Sequence, residues 1–320
     1  MNKPQVMQSA SRIIESRSSN QGSGQDLLGR IVTHYGHQLD VETLEGPRAG
    51  SVQRCHKRAN LPPLVAGDFI LWKPDPTGTG VVISLCDREN VFGRYSPDGK
   101  FKPLASNLNC VLIVFAAAPE ASTNLIDKYL VAIENLGLEA FLILNKVDLL
   151  SGSRDQSLQR ILQIYNELGY PVFEVSAKSG EGISLLERKL SGQTTVLVGQ
   201  SGVGKSSLIN CLGSSVLAKV GNLSEKKLQG THTTTTTRLY HLREFDLIDS
   251  PGVREFGLSS IKKHEVLRGF RELHSLASDC KFRDCGHGSE PGCAVRTGIS
   301  TGKVSQERFD SYQNILSNLD

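Results

Sequence analysis

Thr194-Thr195-Val196-Leu197-Val198-Gly199-Gln200-Ser201-Gly202-Val203-Gly204-Lys205-Ser206-Ser207 decides how the rest of the chain is read. From Gly199 to Ser206 it satisfies the pattern G-x-x-x-x-G-K-S/T, and an apolar, β-branched run leads into it. The residues after it, Ser207-Leu208-Ile209-Asn210-Cys211-Leu212, suit an amphipathic helix. Backbone N–H groups in such a loop converge on an anion, and the helix N-terminus adds partial positive charge. Lys205 is placed to reach terminal phosphates and the Ser206 hydroxyl to bind Mg²⁺.

Strands and helices alternate around this loop. Cys110-Val111-Leu112-Ile113-Val114-Phe115 is a continuous apolar run, as in a strand buried on both faces. Leu125, Tyr129, Leu130, Ile133 and Leu136 then recur at helical spacing, followed by the apolar stretch 141–144. A second helix is marked by Leu158, Ile161, Leu162, Tyr165 and Leu168, a third strand by 172–175 and a third helix by 183–190. Two more strands, 238–242 and 245–249, follow the loop. Repeated β-α-β units imply a parallel sheet with helices on both faces.

Three further motifs fall at strand ends, where ligands sit in open α/β sheets. In Asn145-Lys146-Val147-Asp148 the carboxylate can accept two hydrogen bonds, matching the N1–H and exocyclic amine of guanine. Adenine offers no such donor pair. Ser176-Ala177-Lys178 follows the next strand, and its Ala177 N–H is placed for the guanine oxygen. Asp249-Ser250-Pro251-Gly252 would bring an aspartate to the Mg²⁺ shell and the Gly252 N–H to the γ-phosphate.

The four motifs together resemble the GTPase family of P-loop proteins, but in another order. There the phosphate loop comes first and the base-reading motifs last; here 145–148 and 176–178 precede 199–206. The chain therefore resembles a circular permutant, in which the switch segments fall near the end of the nucleotide domain, next to whatever follows. Between loop and Asp249 lies Gly230-Thr231-His232-Thr233-Thr234-Thr235-Thr236-Thr237. The resemblance assigns a Mg²⁺-completing hydroxyl to Thr234 or Thr235. Val253 stands where many GTPases carry the glutamine that orients water, and His232 is the nearest candidate for that catalytic task; an ordinary loop histidine is the competing reading.

The flanks differ in character. Residues 1–27 are rich in Ser, Gln and Asn and are expected to be a disordered tail. Residues 28–107 hold five short strand-like pieces punctuated by turn signals, at 30–33, 38–43, 51–55, 68–72 and 80–85. They suggest a small barrel of OB type. Its close-set Arg48, Arg54, His56, Lys57 and Arg58 suit single-stranded nucleic acid or merely a solvated loop. Beyond about residue 259 the chain is helical around Val266, Phe270, Leu273 and Leu276, and a last helix carries Phe309, Tyr312, Ile315 and Leu316.

Seven cysteines in 320 residues are unevenly placed. Cys280, Cys285 and Cys293 crowd together with His287, the ligand set of a closed Cys₃His zinc site; the others stand apart as core thiols. With no secretory leader and no apolar run near the roughly 20 residues of a membrane span, a cytoplasmic protein is expected. A net charge of +3 permits an RNA partner without arguing for one.

Barrel, permuted GTPase and Cys₃His module, in that order, resemble the ribosome-small-subunit-dependent GTPase A family of bacteria. The resemblance implies a multidomain α/β chain: tail 1–27, OB-like barrel 28–107, permuted GTPase domain 108–259 and helical zinc module 260–320. It also implies a monomeric, Mg²⁺-dependent GTPase with one zinc per chain that acts in late maturation of the small ribosomal subunit. That subunit would bind through its rRNA and stimulate hydrolysis. The rival expectations are an RNA-binding scaffold holding slowly turned-over GTP, and a permuted GTPase serving another RNP.

Overall fold

The structure, a computed structural model, describes residue 13 and residues 26–36, 38–75, 78–96, 98–150, 156–217, 237–249 and 261–319. The chain begins with strands β1 (Leu27–Tyr35), β2 (Gln38–Thr43), β3 (Val52–Lys57), β4 (Phe69–Pro74) and β5 (Gly80–Leu85). Their spatial order is β1-β2-β3-β5-β4, and β4 pairs back onto β1 to close a five-stranded barrel. In β2 the alternation is clean: Leu39, Val41 and Thr43 face inward while Gln38, Asp40 and Glu42 lie toward solvent. Ile31, Ile70, Trp72 and Val82 fill the same interior. All five strand pieces read from the sequence are present. The end of the expected tail is ordered, since Asp26 pairs with Lys73 at 3.1 Å and Leu27 opens β1. Ile13 packs against Leu28 and Phe69, and the other residues of 1–25 lie outside the described ones.

A hairpin that the sequence pattern did not reveal comes next, β6 (Val91–Tyr95) and β7 (Phe101–Ser106). Gly93 and Pro103 break its alternation, and its register shifts between Phe92 and Gly93. Its buried Phe92 and Ala105 join the core of the second sheet.

That sheet contains β8 (Cys110–Ala116), β9 (Glu139–Asn145), β10 (Val172–Glu174), β11 (Thr194–Val198), β12 (Arg238–His241) and β13 (Asp246–Asp249). Its order is β10-β9-β8-β11-β13-β12, parallel except for β12, which runs antiparallel to β13. Every residue of β8 and β11 is buried. Alternation along β8 sends Val111, Ile113 and Phe115 toward α1 (Thr123–Asn135) and α2 (Gln156–Glu167). Leu112 and Val114 go to the other face, toward α3 (Ile183–Lys189) and α4 (Lys205–Leu217).

Among the described residues four helices follow: α5 (Lys263–Arg268), α6 (Arg271–Ala277), α7 (Ala294–Ser300) and α8 (Gln306–Ser317). They share a core with Val131 and Ala132 of α1. Within the seam Arg308, 1 % exposed, pairs with the fully buried Asp127 of α1 and with Glu272 of α6 at 2.7 Å. The barrel is joined through β12. β1 pairs with β12 at Thr33 and Arg238, so barrel and nucleotide sheet form one continuous eleven-stranded sheet. Arg30 of β1 reaches Asp246 and Thr194, and His241 bridges Asp246 at 2.7 Å and Glu42 at 3.1 Å. Among the described residues no helix is long and apolar enough to cross a membrane.

Candidate nucleotide site and metal centre

Because β8, β9, β11 and β13 are parallel, their C-terminal ends meet along one edge. β9 delivers Asn145 there, β11 delivers Gly199 and β13 delivers Asp249. The first loop glycine is required by close approach: a Cβ on Gly199, at φ +139, would lie 2.1 Å from the Val114 carbonyl oxygen. At Gly204 a Cβ would lie 2.4 Å from Nδ2 of Asn145. The loop can therefore fold against the base-reading motif only with glycine there. Lys205 opens α4, and its ammonium donates to the carbonyls of Gly199 at 2.7 Å and Gln200 at 2.6 Å. Ser206 and Ser207 stand exposed in the first helical turn, beside the exposed Ser201 and Gly202 of the loop, while Val203 is buried.

Three motifs remote in sequence are wired together. Asn145, almost wholly buried, donates through Nδ2 to the Val203 carbonyl at 2.9 Å and accepts the Ala177 N–H on Oδ1 at 3.1 Å. Lys146, in the left-handed region at φ 66, spans from Ala118 O at 2.9 Å to Gly202 O at 2.6 Å. The buried Ser176 hydroxyl donates to Asp148 Oδ1 at 2.6 Å and accepts N–H groups from Lys178 and Ser179. Asp148 itself is exposed.

Asp249 ends β13 at this edge, and the backbone bridge of Arg238 to Asp249 is the one next to the barrel. His232, Thr234, Thr235, Gly252 and Val253, singled out by sequence, lie outside the described residues. What sequence reading missed is the role of Asn145 and Lys146 as braces of the phosphate loop. The motif marks both residues, but their contacts to Val203, Gly202 and Ala118 are backbone contacts with no side-chain signature.

In the C-terminal region Cys280, Cys285, His287 and Cys293 bring one donor atom each to within 4.8 Å of one another, a set that could hold a metal ion. His287 Nδ1 lies 3.6 Å from Sγ of both Cys280 and Cys293, and those two sulfurs are 4.0 Å apart. His287 is buried, with its backbone in the left-handed region at φ 58. N–H groups at the start of α7 point at the sulfurs: those of Ala294 and Val295 at Cys280, and that of Arg296 at Cys293. At Cys280 burial pushes the thiol up, but the Ala294 and Val295 donors outweigh it and hold the group below its usual range.

The family model described as RsgA GTPase matches residues 85–259. A protein of Pseudomonas putida called small ribosomal subunit biogenesis GTPase RsgA is 48% identical over 297 residues, covering 92% of this chain and 87% of its own. The chain belongs to the RsgA GTPase family. A namesake from Ectopseudomonas mendocina is 46% identical over 310 residues, covering 95% of this chain and 90% of its own. The crystal structure of YjeQ from Thermotoga maritima superposes with a TM-score of 0.73 at 29% identity, over 92% of this chain and 98% of that one. That of YloQ, described as a circularly permuted GTPase, has a TM-score of 0.71 at 24% identity, over 94% and 97%. As a member of the RsgA GTPase family the chain is a GTPase, and its fold is the circularly permuted one. The out-of-order motifs and the strand order are thus two views of one rearrangement.

Proposed function

We propose that this chain hydrolyses GTP to GDP and phosphate, with Mg²⁺, as a switch in late maturation of the small ribosomal subunit. The observation that carries the nucleotide reading is the bracing of Asn145 against both Val203 and Ala177, which sets base-reading and phosphate-holding groups in one frame. Asp148 reads the guanine donors, with Ser176, Ala177 and Lys178 around the base. Residues 199–207 receive the phosphates, and Lys205 exchanges its carbonyl partners for phosphate oxygens. Mg²⁺ would draw charge from the β- and γ-phosphates. Ser206, Asp249 and one of Thr234 or Thr235 would hold it, with the Gly252 N–H on the γ-phosphate. Val253 cannot orient water, so His232 takes that role, and hydrolysis by the isolated protein is slow.

The curated relatives carry small-subunit biogenesis in their names. For this chain the partner surface is assigned to the barrel and the metal module, over units spanning 28–107 and 260–320 on either side of 108–259. On β3 the outward Arg54 and His56 are exposed, as are Arg48 and Arg58, and Arg54 stacks on the half-exposed Tyr35 ring at 4.7 Å. A cation beside an aromatic face suits rRNA. The metal is one structural zinc per chain: tetrahedral Zn²⁺ with sulfur and nitrogen ligands sets donor separations of about 3.6–3.8 Å, close to those found. The protein acts as a monomer in the cytoplasm.

GTP turnover measured alone, with isolated small subunits and with isolated large subunits tests this reading. Stimulation by small subunits alone is expected. Stimulation by large subunits instead would move the enzyme to another RNP, and bound GTP without turnover in any mixture would make the chain a scaffold.

A further inference from the structure

Strand β12 presents side chains of its own beside the barrel. Its Leu239 is buried in the core that β8 shares with α1 and α2, so alternation turns Arg238 and Tyr240 to the opposite face. There the exposed Arg238 guanidinium lies over the half-buried Tyr240 ring, 5.3 Å from its centroid. The barrel repeats the arrangement, with the exposed Arg54 guanidinium 4.7 Å from the centroid of Tyr35.

Strand register puts the two pairs on one surface. Arg238 pairs with Thr33 of β1, Thr33 with Asp40 of β2, and Asp40 with Arg54 of β3. Side chains of directly paired residues share a side of the sheet. One row therefore runs from nucleotide sheet to barrel, its two arginines three strand spacings, about 14 Å, apart. Tyr35 lies two residues beyond Thr33 on the same side and pairs with Gln38, which pairs with the exposed His56. Arg54 donates to Asp40 at 2.6 Å and to Gln38 at 3.1 Å. Those bonds lie in the guanidinium plane, so they fix it and leave its faces for stacking. The carboxylates here, Asp40 and Glu42, are already engaged by Arg54 and His241.

We propose that this face is one binding surface for single-stranded RNA, to which β12 of the nucleotide sheet contributes. Unpaired bases stack on the Arg54 and Tyr35 pair of the barrel and on the Arg238 and Tyr240 pair beyond the junction. The proposal rests on the rRNA reading above and extends it from the barrel onto the nucleotide sheet. Stacking on a ring or an arginine plane accepts any base but needs that base free of a duplex partner. The separation is too wide for one base and suits bases of one short strand. An acidic peptide would satisfy the charges and leave both stacked planes unused. RNA bound here would also lie one residue pair from Asp249, the strand partner of Arg238.

The test titrates the full-length, metal-loaded protein with a labelled oligouridine of about 12 nucleotides and, separately, with heparin, a polyanion without bases. Arg238→Lys and Arg54→Lys keep the charge and remove the planar fork. Both arginines are exposed, so neither substitution opens the core. Each variant should bind oligouridine about tenfold more weakly and heparin as well as wild type does. Weakening in only one of the two overturns the single surface, and unchanged oligouridine binding in both overturns it too. Equal losses for oligouridine and heparin would reduce the face to charge alone and refute stacking, as would a wild type that binds heparin but not oligouridine. Binding of isolated small subunits is measured on the same wild-type sample, and its absence would instead sink the rRNA reading.

Discussion

Ser176 fixes Oδ1 of the exposed Asp148, the carboxylate proposed to read guanine. Asp148→Asn turns one acceptor into a donor, so the variant should lose GTP and gain xanthosine triphosphate, whose carbonyl complements it. A site built on a substrate's hydrogen bonds discriminates by about 10⁴-fold or more; equal GTP affinity in wild type and variant would contradict the assignment. His232→Ala should keep GTP affinity and small-subunit binding while removing most of the subunit-stimulated rate. Single-turnover hydrolysis on saturating small subunits is the measurement, and matching rates would take His232 out of the mechanism. His241 is a structural counterpart. Burial pulls its imidazole down, but hydrogen bonds to Asp246 and Glu42 outweigh this and push it up to about 9. The folded state thus favours the cation. Stability from this junction should be complete below the unfolded pKa of about 6.5 and fade as pH rises through about 9. Thermal midpoints from pH 6 to 10 should fall less steeply for His241→Gln than for wild type, and parallel curves would refute the linkage.

Among the elements, α1 and α8 carry the seam between nucleotide sheet and C-terminal helices. Removing Arg308 leaves Asp127 buried, with burial raising its pKa and only the Tyr165 and Ser311 hydroxyls to oppose that. Breaking a buried pair typically costs about 3–5 kcal/mol, whereas replacing both partners can be nearly neutral. Arg308→Met should lower the calorimetric midpoint sharply, and adding Asp127→Asn should restore part of it. A double variant no better than the single would show that packing, not charge, holds the seam. The helices themselves were legible from their apolar spacing, and the five barrel strands from their turn signals. The hairpin β6–β7 was not, because Gly93 and Pro103 interrupt its period. The seven-residue α7 escaped as well, being too short to show a helical repeat and ordered at its start by the Cys293 cap.

In the whole molecule the Cys₃His cluster lies at the edge of the C-terminal core, where Cys293 is buried with Val295 and Tyr312. Cys293→Ser should lower bound zinc well below one per chain and loosen residues 280–300 in proteolysis, while GTP binding survives because the ligands lie outside the nucleotide site. Metal content indifferent to the substitution would end the zinc reading. The sequence alone marked each motif, because a phosphate loop, an N-K-x-D run and a Cys₃His set are short and carry their donor groups within fourteen residues or fewer. Their permuted order was equally plain from the chain. Only the tertiary structure decided how the three units are joined. The ion pairs that do so link Arg30 to Asp246 across 216 positions and Arg308 to Asp127 across 181. Nothing in the sequence distinguishes those arginines from solvated ones, since a charge becomes a structural lock only when folding strips its water and supplies a partner.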